Sequence, residues 1–211
     1  MIAWTEYIKI FTTLLAIVDS LGIIPIFISL TGNVTKQESD RIALIAGMTV
    51  AVILILSTLI GKFLLNFFGI SIGSFKVGGG ILLMLIAVSM MQAGHNQSRQ
   101  TSEEAKEAED KESIAAVPIA TPLLAGPGAI STVIIFAQES FHPPHISLIL
   151  ISSLVVALLS WIALRVANPI SKIMSKTAIN IIRRLMGLLL AAIAVEFIVG
   201  GLSQLVPALA K

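Results

Sequence analysis

The chain has 211 residues, of which 56% are hydrophobic and 12% charged, and its mean hydropathy is +0.96. This composition excludes an ordinary soluble domain and predicts an all-α polytopic membrane protein in contact with a lipid bilayer. The formal net charge is only +2, so no nucleic-acid partner is expected. The lack of cysteine excludes disulfide and thiol chemistry.

Six transmembrane segments fit this length, because one span needs about 20 apolar residues. Apolar runs predict these spans near residues 7–30, 42–68, 74–93, 113–138, 146–167 and 185–206. Polar connectors are expected at 31–41 and at 168–184. The second of these is basic and partly amphipathic, so it is expected to lie along the lipid headgroups, where it could form a short interfacial helix. The hydrophilic stretch 94–112 is predicted to be a solvated cytoplasmic linker.

Two of the predicted spans are interrupted by helix-breaking residues. The first contains Asp19–Pro25, and the fourth contains I-A-T-P-L-L-A-G-P-G-A-I-S-T at 119–132. Pro25 and Pro122 are the expected break residues, because proline removes a backbone donor. Unpaired peptide groups are costly in hydrocarbon, so broken backbone persists only inside protein or beside a wet cavity. The breaks therefore indicate a functional site and not a simple membrane anchor.

An internal repeat places the two breaks in register. Gly80–Val88 and Gly187–Val195 share six of nine letters at an offset of 107 residues. The same offset places Asp19 on Gly126. We therefore expect two repeats of three spans each, in residues 1–93 and 113–211.

The basic residues predict the orientation. Ten of the fourteen lysines and arginines belong to the connectors between spans one and two, three and four, and five and six. By the positive-inside rule, these connectors face the cytoplasm and both termini lie outside it. Three spans per repeat then make the second repeat inverted relative to the first.

The two breaks supply the candidate substrate-binding residues. In secondary transporters with inverted repeats, the ends of interrupted helices offer N–H groups to anions and C=O groups to cations. A free amino acid carries one group of each kind, and small residues at the breaks favour a small side chain. The alternative is that the glycines only permit close helix crossings. The candidates are Ser20, Leu21, Gly22, Thr121, Ala125, Gly126, Pro127 and Gly128.

Two carboxylates within the spans are candidates for ion coupling, because ionisable residues at mid-depth are costly and mark ion paths. Asp19 either couples ion movement or caps the half-helix that begins near Ser20, and the two roles are compatible. Glu196 either binds a proton or pairs with Lys76 or a backbone group.

No metal, cofactor or enzymatic activity is expected. His142 and His145 flank two prolines in a predicted outside turn, and no third ligand is near them in the sequence. The sequence contains no Walker loop, nucleophile elbow or zinc motif.

Four motifs carry a family resemblance. They are D-S-L-G-I-I-P-I-F at 19–27, F-K-V-G-G-G-I-L-L at 75–83, P-L-L-A-G-P-G-A-I-S-T at 122–132 and R-L-M-G-L-L-L-A-A-I-A-V-E-F-I at 184–198. With these motifs the chain resembles, over almost its whole length, the MarC family of small bacterial and archaeal inner-membrane proteins. It departs from that family at Ser20 and Ile23, where proline and asparagine are frequent. The resemblance implies a transporter of small neutral amino acids such as glycine and alanine, driven by a gradient of H⁺ or Na⁺.

Two other classes of function stay open. One is a non-transporting assembly or regulatory subunit, in which the broken helices would pack against a partner. The other is a channel or exporter for another small polar solute; flux through a channel would not saturate.

Overall fold

A computed structural model describes residues 4–32, 34–92, 124–140, 142–169 and 176–206. Every regular element in these ranges is helical. The linker 94–112 and the first half of the predicted fourth span lie outside the described residues. The principal helices are α1 Trp4–Val18, α2 Ile24–Thr31, α3 Lys36–Phe67, α4 Ile72–Met91, α5 Pro127–Glu139, α6 Pro143–Arg165 and α7 Lys176–Leu205.

The first predicted span is interrupted where its sequence indicates. Helix α1 ends at Val18 and α2 begins at Ile24. Pro25 lies in the first turn of α2, where a missing N–H group leaves no helical hydrogen bond unmade. The break residue predicted for the fourth span, Pro122, lies outside the described residues.

The extent of both predicted polar connectors is wrong. Helix α3 already begins at Lys36, because Thr35 and Glu38 form a capping box in which each side chain accepts the other's N–H group, at 3.3 and 2.9 Å. Helix α7 begins at Lys176, so the second half of the predicted headgroup connector is helical and continuous with the sixth predicted span. Charged residues thus belong to a helix at both places, and the helix at 176–184 is part of α7 and not a separate interfacial helix.

The predicted turn before the fifth span is also shorter than expected. Helix α6 begins at Pro143 with His142 as its N-cap, so His145 belongs to the helix. The His145 side chain is buried, and its Nε2 lies 2.8 Å from the carbonyl oxygen of Phe136. This contact ties α6 to α5.

Four described helices are long and apolar enough to cross a membrane, namely α3, α4, α6 and α7. Within α1, Tyr7–Val18 is a shorter apolar helix. The surface carries many large apolar side chains, among them Phe63 and Phe67, which are 67% and 73% exposed. An exposed apolar surface of this kind suits a lipid environment.

Glycines let α4 and α7 approach each other closely in antiparallel directions. A Cβ atom added to Gly80 would lie 2.9 Å from the carbonyl oxygen of Ala194, and one added to Gly187 would lie 2.9 Å from the carbonyl oxygen of Ala87. Membrane helices associate through such small residues, because the two backbones can then make van der Waals contact. This crossing holds the two halves of the chain together.

Gly201→Ala is expected to destabilise the protein by about 1–3 kcal/mol. A Cβ atom at Gly201 would lie 2.6 Å from the carbonyl oxygen of Gly73, a backbone atom that cannot turn aside. Gly200→Ala is the matched control, because nothing lies within 4 Å of a Cβ atom there, and alanine is the better helix former. Thermal unfolding of both purified variants in detergent measures the difference, and equal Tm values would contradict this packing.

Candidate functional site

The gap between α1 and α2 is a tight turn organised by Asp19. The backbone of Asp19 lies in the left-handed region, with φ of +41°, a strained conformation for a residue other than glycine. Its carbonyl oxygen accepts the N–H groups of Gly22 and Ile23 at 3.0 and 3.3 Å. Its Oδ1 also accepts the N–H group of Gly22, at 3.2 Å. These bonds close the turn, but Asp19 is not the cap of α2, whose N-cap is Ile23 and which has no side-chain cap bond. The ion-coupling role stays a prediction.

Arg183 of α7 is the charge partner of Asp19. Its Nε donates to Asp19 Oδ2 at 2.9 Å, and the two side chains are only 14% and 16% exposed. A Cβ atom added to Gly22 would lie 2.0 Å from Asp19 Oδ2 and 2.5 Å from Arg183 Nε. Gly22 therefore leaves the space that the ion pair occupies, a role that is separate from any need for glycine backbone freedom.

Ser20 joins the break to α6. Its Oγ lies 2.7 Å from the Oγ of Ser160, and both serines are buried. Ser160 donates its own proton to the carbonyl oxygen of Val156 at 2.8 Å, so Ser20 is the donor in the contact between the two hydroxyls. Leu21 is only partly buried and packs against the core. The break is thus held against α6 by a hydroxyl pair and against α7 by an ion pair.

Helix α5 begins at the second predicted break. Gly126 is its N-cap residue and Pro127 its first residue. Gly126 provides no side-chain acceptor, and the first N–H groups of a helix have no partner within the helix. Leu124 and Ala125 precede this start and are buried. Thr121, the remaining candidate of this group, lies outside the described residues.

The start of α5 lies against the end of α1. A Cβ atom added to Gly128 would lie 3.6 Å from Cγ2 of Ile17, and Ile17 precedes Asp19 by two residues. The structure therefore brings candidate residues of both breaks into one region of the protein.

The partner predicted for Glu196 is wrong. Lys9 of α1 pairs with Glu196, whereas Lys76 of α4 pairs with Glu139 at the end of α5, at 3.0 Å. Glu196 and Lys9 are both exposed on the protein surface, unlike the pair at the break. Within the described ranges, no group of three or more His, Asp or Glu side chains is arranged to hold a metal ion.

A cavity of about 560 Å³ lies at the far end of α2, between the start of α3 and the end of α6. Its polar wall includes Lys36, Asp40 and Arg165, and Arg165 Nε lies 3.9 Å from Asp40 Oδ2. Helix α2 has eight residues, which corresponds to a length of about 12 Å. Ile28, in the middle of α2, is the lining residue nearest in sequence to the Asp19 turn, so the first half of α2 lies between the cavity and the turn.

Sequence reasoning missed two residues that contact the break. Arg183 lies in the predicted connector 168–184, since it precedes the last apolar run, and Ser160 lies inside the predicted fifth span. The only sequence signal for Arg183 is that it lies next to the motif that begins at Arg184. Ser160 gives no signal, because a serine inside an apolar helix commonly bonds only to its own helix.

These features define a polytopic α-helical membrane protein with a helix break buried among its packed helices. Residues 4–206 match the family described as MarC family integral membrane protein, and the chain therefore belongs to the MarC family. It is 40% identical over 203 residues to the UPF0056 membrane protein YhcE of Escherichia coli (strain K12), covering 96% of this chain and 94% of that protein.

An archaeal relative is similar over a comparable length. The UPF0056 membrane protein MJ1677 of Methanocaldococcus jannaschii is 35% identical over 196 residues, covering 93% of this chain and 95% of that protein. No solved structure matches the chain.

Proposed function

We propose that this protein is a secondary transporter of small neutral amino acids, of the glycine and alanine class, across the cytoplasmic membrane. The observation that carries the proposal is the partly buried Asp19–Arg183 pair at the gap between α1 and α2, beside the start of α5. A broken helix with ionisable groups is costly in a membrane and commonly binds a polar solute or an ion.

The region of the break offers both signs of charge to a zwitterion. The Asp19 carboxylate and the last carbonyl groups of α1 suit an ammonium group. The Arg183 guanidinium and the start of α5, which has no side-chain cap, suit a carboxylate. Asp19 and Arg183 bond to each other, and an arriving amino acid would exchange with this internal pair. The closeness of a Cβ atom at Gly22 to both groups favours a substrate with a small side chain.

Reciprocal packing supports two inverted repeats. The offset of 107 residues carries the first residue of α3 onto the first residue of α6. It also carries Gly80 onto Gly187 and Ala87 onto Ala194. A Cβ atom added to either glycine would lie the same 2.9 Å from the carbonyl oxygen of the other repeat's alanine, as a two-fold axis between the repeats would require.

Six spans follow if α1 and α2 together form one interrupted span and α5 is the second half of another. The Lys76–Glu139 pair joins the start of α4 to the end of α5, and the Asp40–Arg165 pair joins the start of α3 to the end of α6. A chain that crosses the membrane six times places the members of each pair on one side, which supports this path.

The orientation that we propose places both termini outside the cytoplasm. A reporter fused after Lys211 is expected to report the outer side, and a tag within 103–111 is expected to report the cytoplasm. The reason is the excess of basic residues in the connectors on that side. The opposite pair of results would reverse the orientation, while leaving the repeat unaffected.

The cavity between α2, α3 and α6 fits a cytoplasmic vestibule in this orientation. Its volume of about 560 Å³ exceeds what a small amino acid needs, and Lys36, Asp40 and Arg165 bring charges of both signs to its wall. Helix α2 connects the cavity to the break, so movement of α2 is the simplest way to open a route between them. Alternating access would then expose the break to one side at a time.

Uptake by purified protein in liposomes tests the proposal. Labelled glycine and labelled alanine should accumulate saturably when an inward gradient of H⁺ or of Na⁺ is imposed, and the effective gradient identifies the coupling ion. Large, non-saturating flux would indicate a channel. No flux of either amino acid under any gradient would favour a non-transporting subunit.

A further inference from the structure

Two buried threonine hydroxyls, one in α1 and one in α5, have no hydrogen-bond partner among the described residues. Thr13 and Thr132 are each 0% exposed, and neither Oγ1 atom is bonded. A buried hydroxyl without a partner costs free energy. Such an atom in a packed interior marks a position where a bound solute or a buried water can supply the missing partner.

Seven other serine and threonine side chains of the described helices behave differently. Their hydroxyls donate to the carbonyl oxygen four residues earlier, which is the usual arrangement inside a helix. Such bonds are made by Thr12, Thr31, Thr49, Thr58, Ser153, Ser160 and Ser203. Among the fully buried serine and threonine hydroxyls of the described residues, only those of Thr13 and Thr132 have no partner.

The depth of the two hydroxyls along the helix axes depends on the directions of α1 and α5, which follow from three pairs of neighbouring helices. Helix α1 is antiparallel to α7, because Lys9 pairs with Glu196 and Asp19 with Arg183. Helix α7 is antiparallel to α4 through its glycine contacts, and α4 is antiparallel to α5, because a Cβ atom at Gly128 approaches Ile86 and Lys76 pairs with Glu139. Helices α1 and α5 are therefore antiparallel to each other.

The two threonines also lie on the helix faces that meet. Ile17 of α1 packs at Gly128 of α5. Thr13 is four residues before Ile17 and Thr132 is four residues after Gly128, so each threonine shares a face with the contacting residue one turn away. In antiparallel helices, these two steps lead in the same direction, away from the Asp19 turn.

We infer that Thr13 and Thr132 form a second polar contact for the transported solute, one helix turn from the break on the side of Glu139. The ligand class is a small zwitterionic amino acid, because a hydroxyl can donate to a carboxylate and accept from an ammonium group. This inference rests on the proposed transport function. It adds a second solute-binding position, between the break and the side of the membrane on which α5 ends.

Valine substitutions test the inference, because valine keeps the shape of threonine and replaces the hydroxyl by a methyl group that cannot form a hydrogen bond. Thr13→Val and Thr132→Val should each raise the KM for glycine uptake roughly three- to tenfold, the effect of losing one hydrogen bond. Their Tm in detergent should equal or exceed that of the wild type, since no hydrogen bond within the protein is lost. The single variants Thr13→Ser and Thr132→Ser retain the hydroxyl and should have the wild-type KM.

Thr58→Val is the matched control. Thr58 is also buried, but its hydroxyl donates to the carbonyl oxygen of Leu54 at 2.7 Å, so its loss should lower the Tm and leave the KM unchanged. An unchanged KM in both Thr13→Val and Thr132→Val, with wild-type uptake intact, would overturn this inference alone and leave a buried water as the partner of the two hydroxyls. If the wild type transports neither glycine nor alanine, the proposed function fails, and this inference fails with it.

Discussion

Neutralising either member of the Asp19–Arg183 pair is expected to destabilise the protein by about 3–5 kcal/mol, whereas neutralising both should cost less. Each side chain is largely buried, so Asp19→Asn or Arg183→Gln removes a counter-charge that solvent does not replace. Asparagine can still cap the turn by accepting the N–H group of Gly22, so the loss in Asp19→Asn reports mainly on the charge. Unfolding of the two single variants and the double variant gives the coupling energy.

The pair between Asp40 and Arg165 is the internal control for this cycle. Its N–O distance is 3.9 Å and its side chains are 33% and 53% exposed. Solvent screens such a pair, so its coupling energy should stay below about 1 kcal/mol. An equally small coupling between Asp19 and Arg183 would show that the pair at the break does not stabilise the fold.

Gly22→Ala is expected to reduce the initial rate of uptake by a factor on the order of ten to a hundred, because a displacement of about 1 Å at a functional site can have an effect of this size. The new Cβ atom would lie 2.0 Å from Asp19 Oδ2 and 2.5 Å from Arg183 Nε, so the ion pair must separate or shift. All charges are retained in this variant. The measurement therefore reports the geometry of the break and not its charge.

Gly78→Ala controls for the general effect of adding a methyl group, because nothing lies within 4 Å of a Cβ atom at Gly78. This variant should insert and transport like the wild type. Normal uptake by Gly22→Ala, with protein levels matched, would show that the Asp19 turn is not part of the transport site.

The sequence was sufficient to locate the break at Asp19–Pro25, because proline and glycine act on the backbone locally. It also indicated that α4 and α7 carry matching segments. Helix ends were predicted less well, since capping depends on side-chain geometry. Thr35 and Glu38 start α3 inside a stretch that reads as a polar loop.

Partners between distant helices could not be predicted from one sequence. Arg183 lies 164 positions from Asp19. The basic, partly amphipathic stretch around it indicated a position at the lipid headgroups. The proposed pairing of Glu196 with Lys76 was wrong for a related reason: spacing along the chain does not show which helices are neighbours. Helix α1 packs beside α7 and supplies Lys9 instead.

Counterflow in liposomes tests transport around the break most directly, because it requires no knowledge of the coupling ion. Liposomes loaded with unlabelled glycine should take up labelled glycine transiently above equilibrium, and Gly22→Ala should do so at a strongly reduced rate while Gly78→Ala matches the wild type. Excess unlabelled alanine outside should compete. Entry of label that never exceeds equilibrium, or equal counterflow by wild type and Gly22→Ala, would contradict the account.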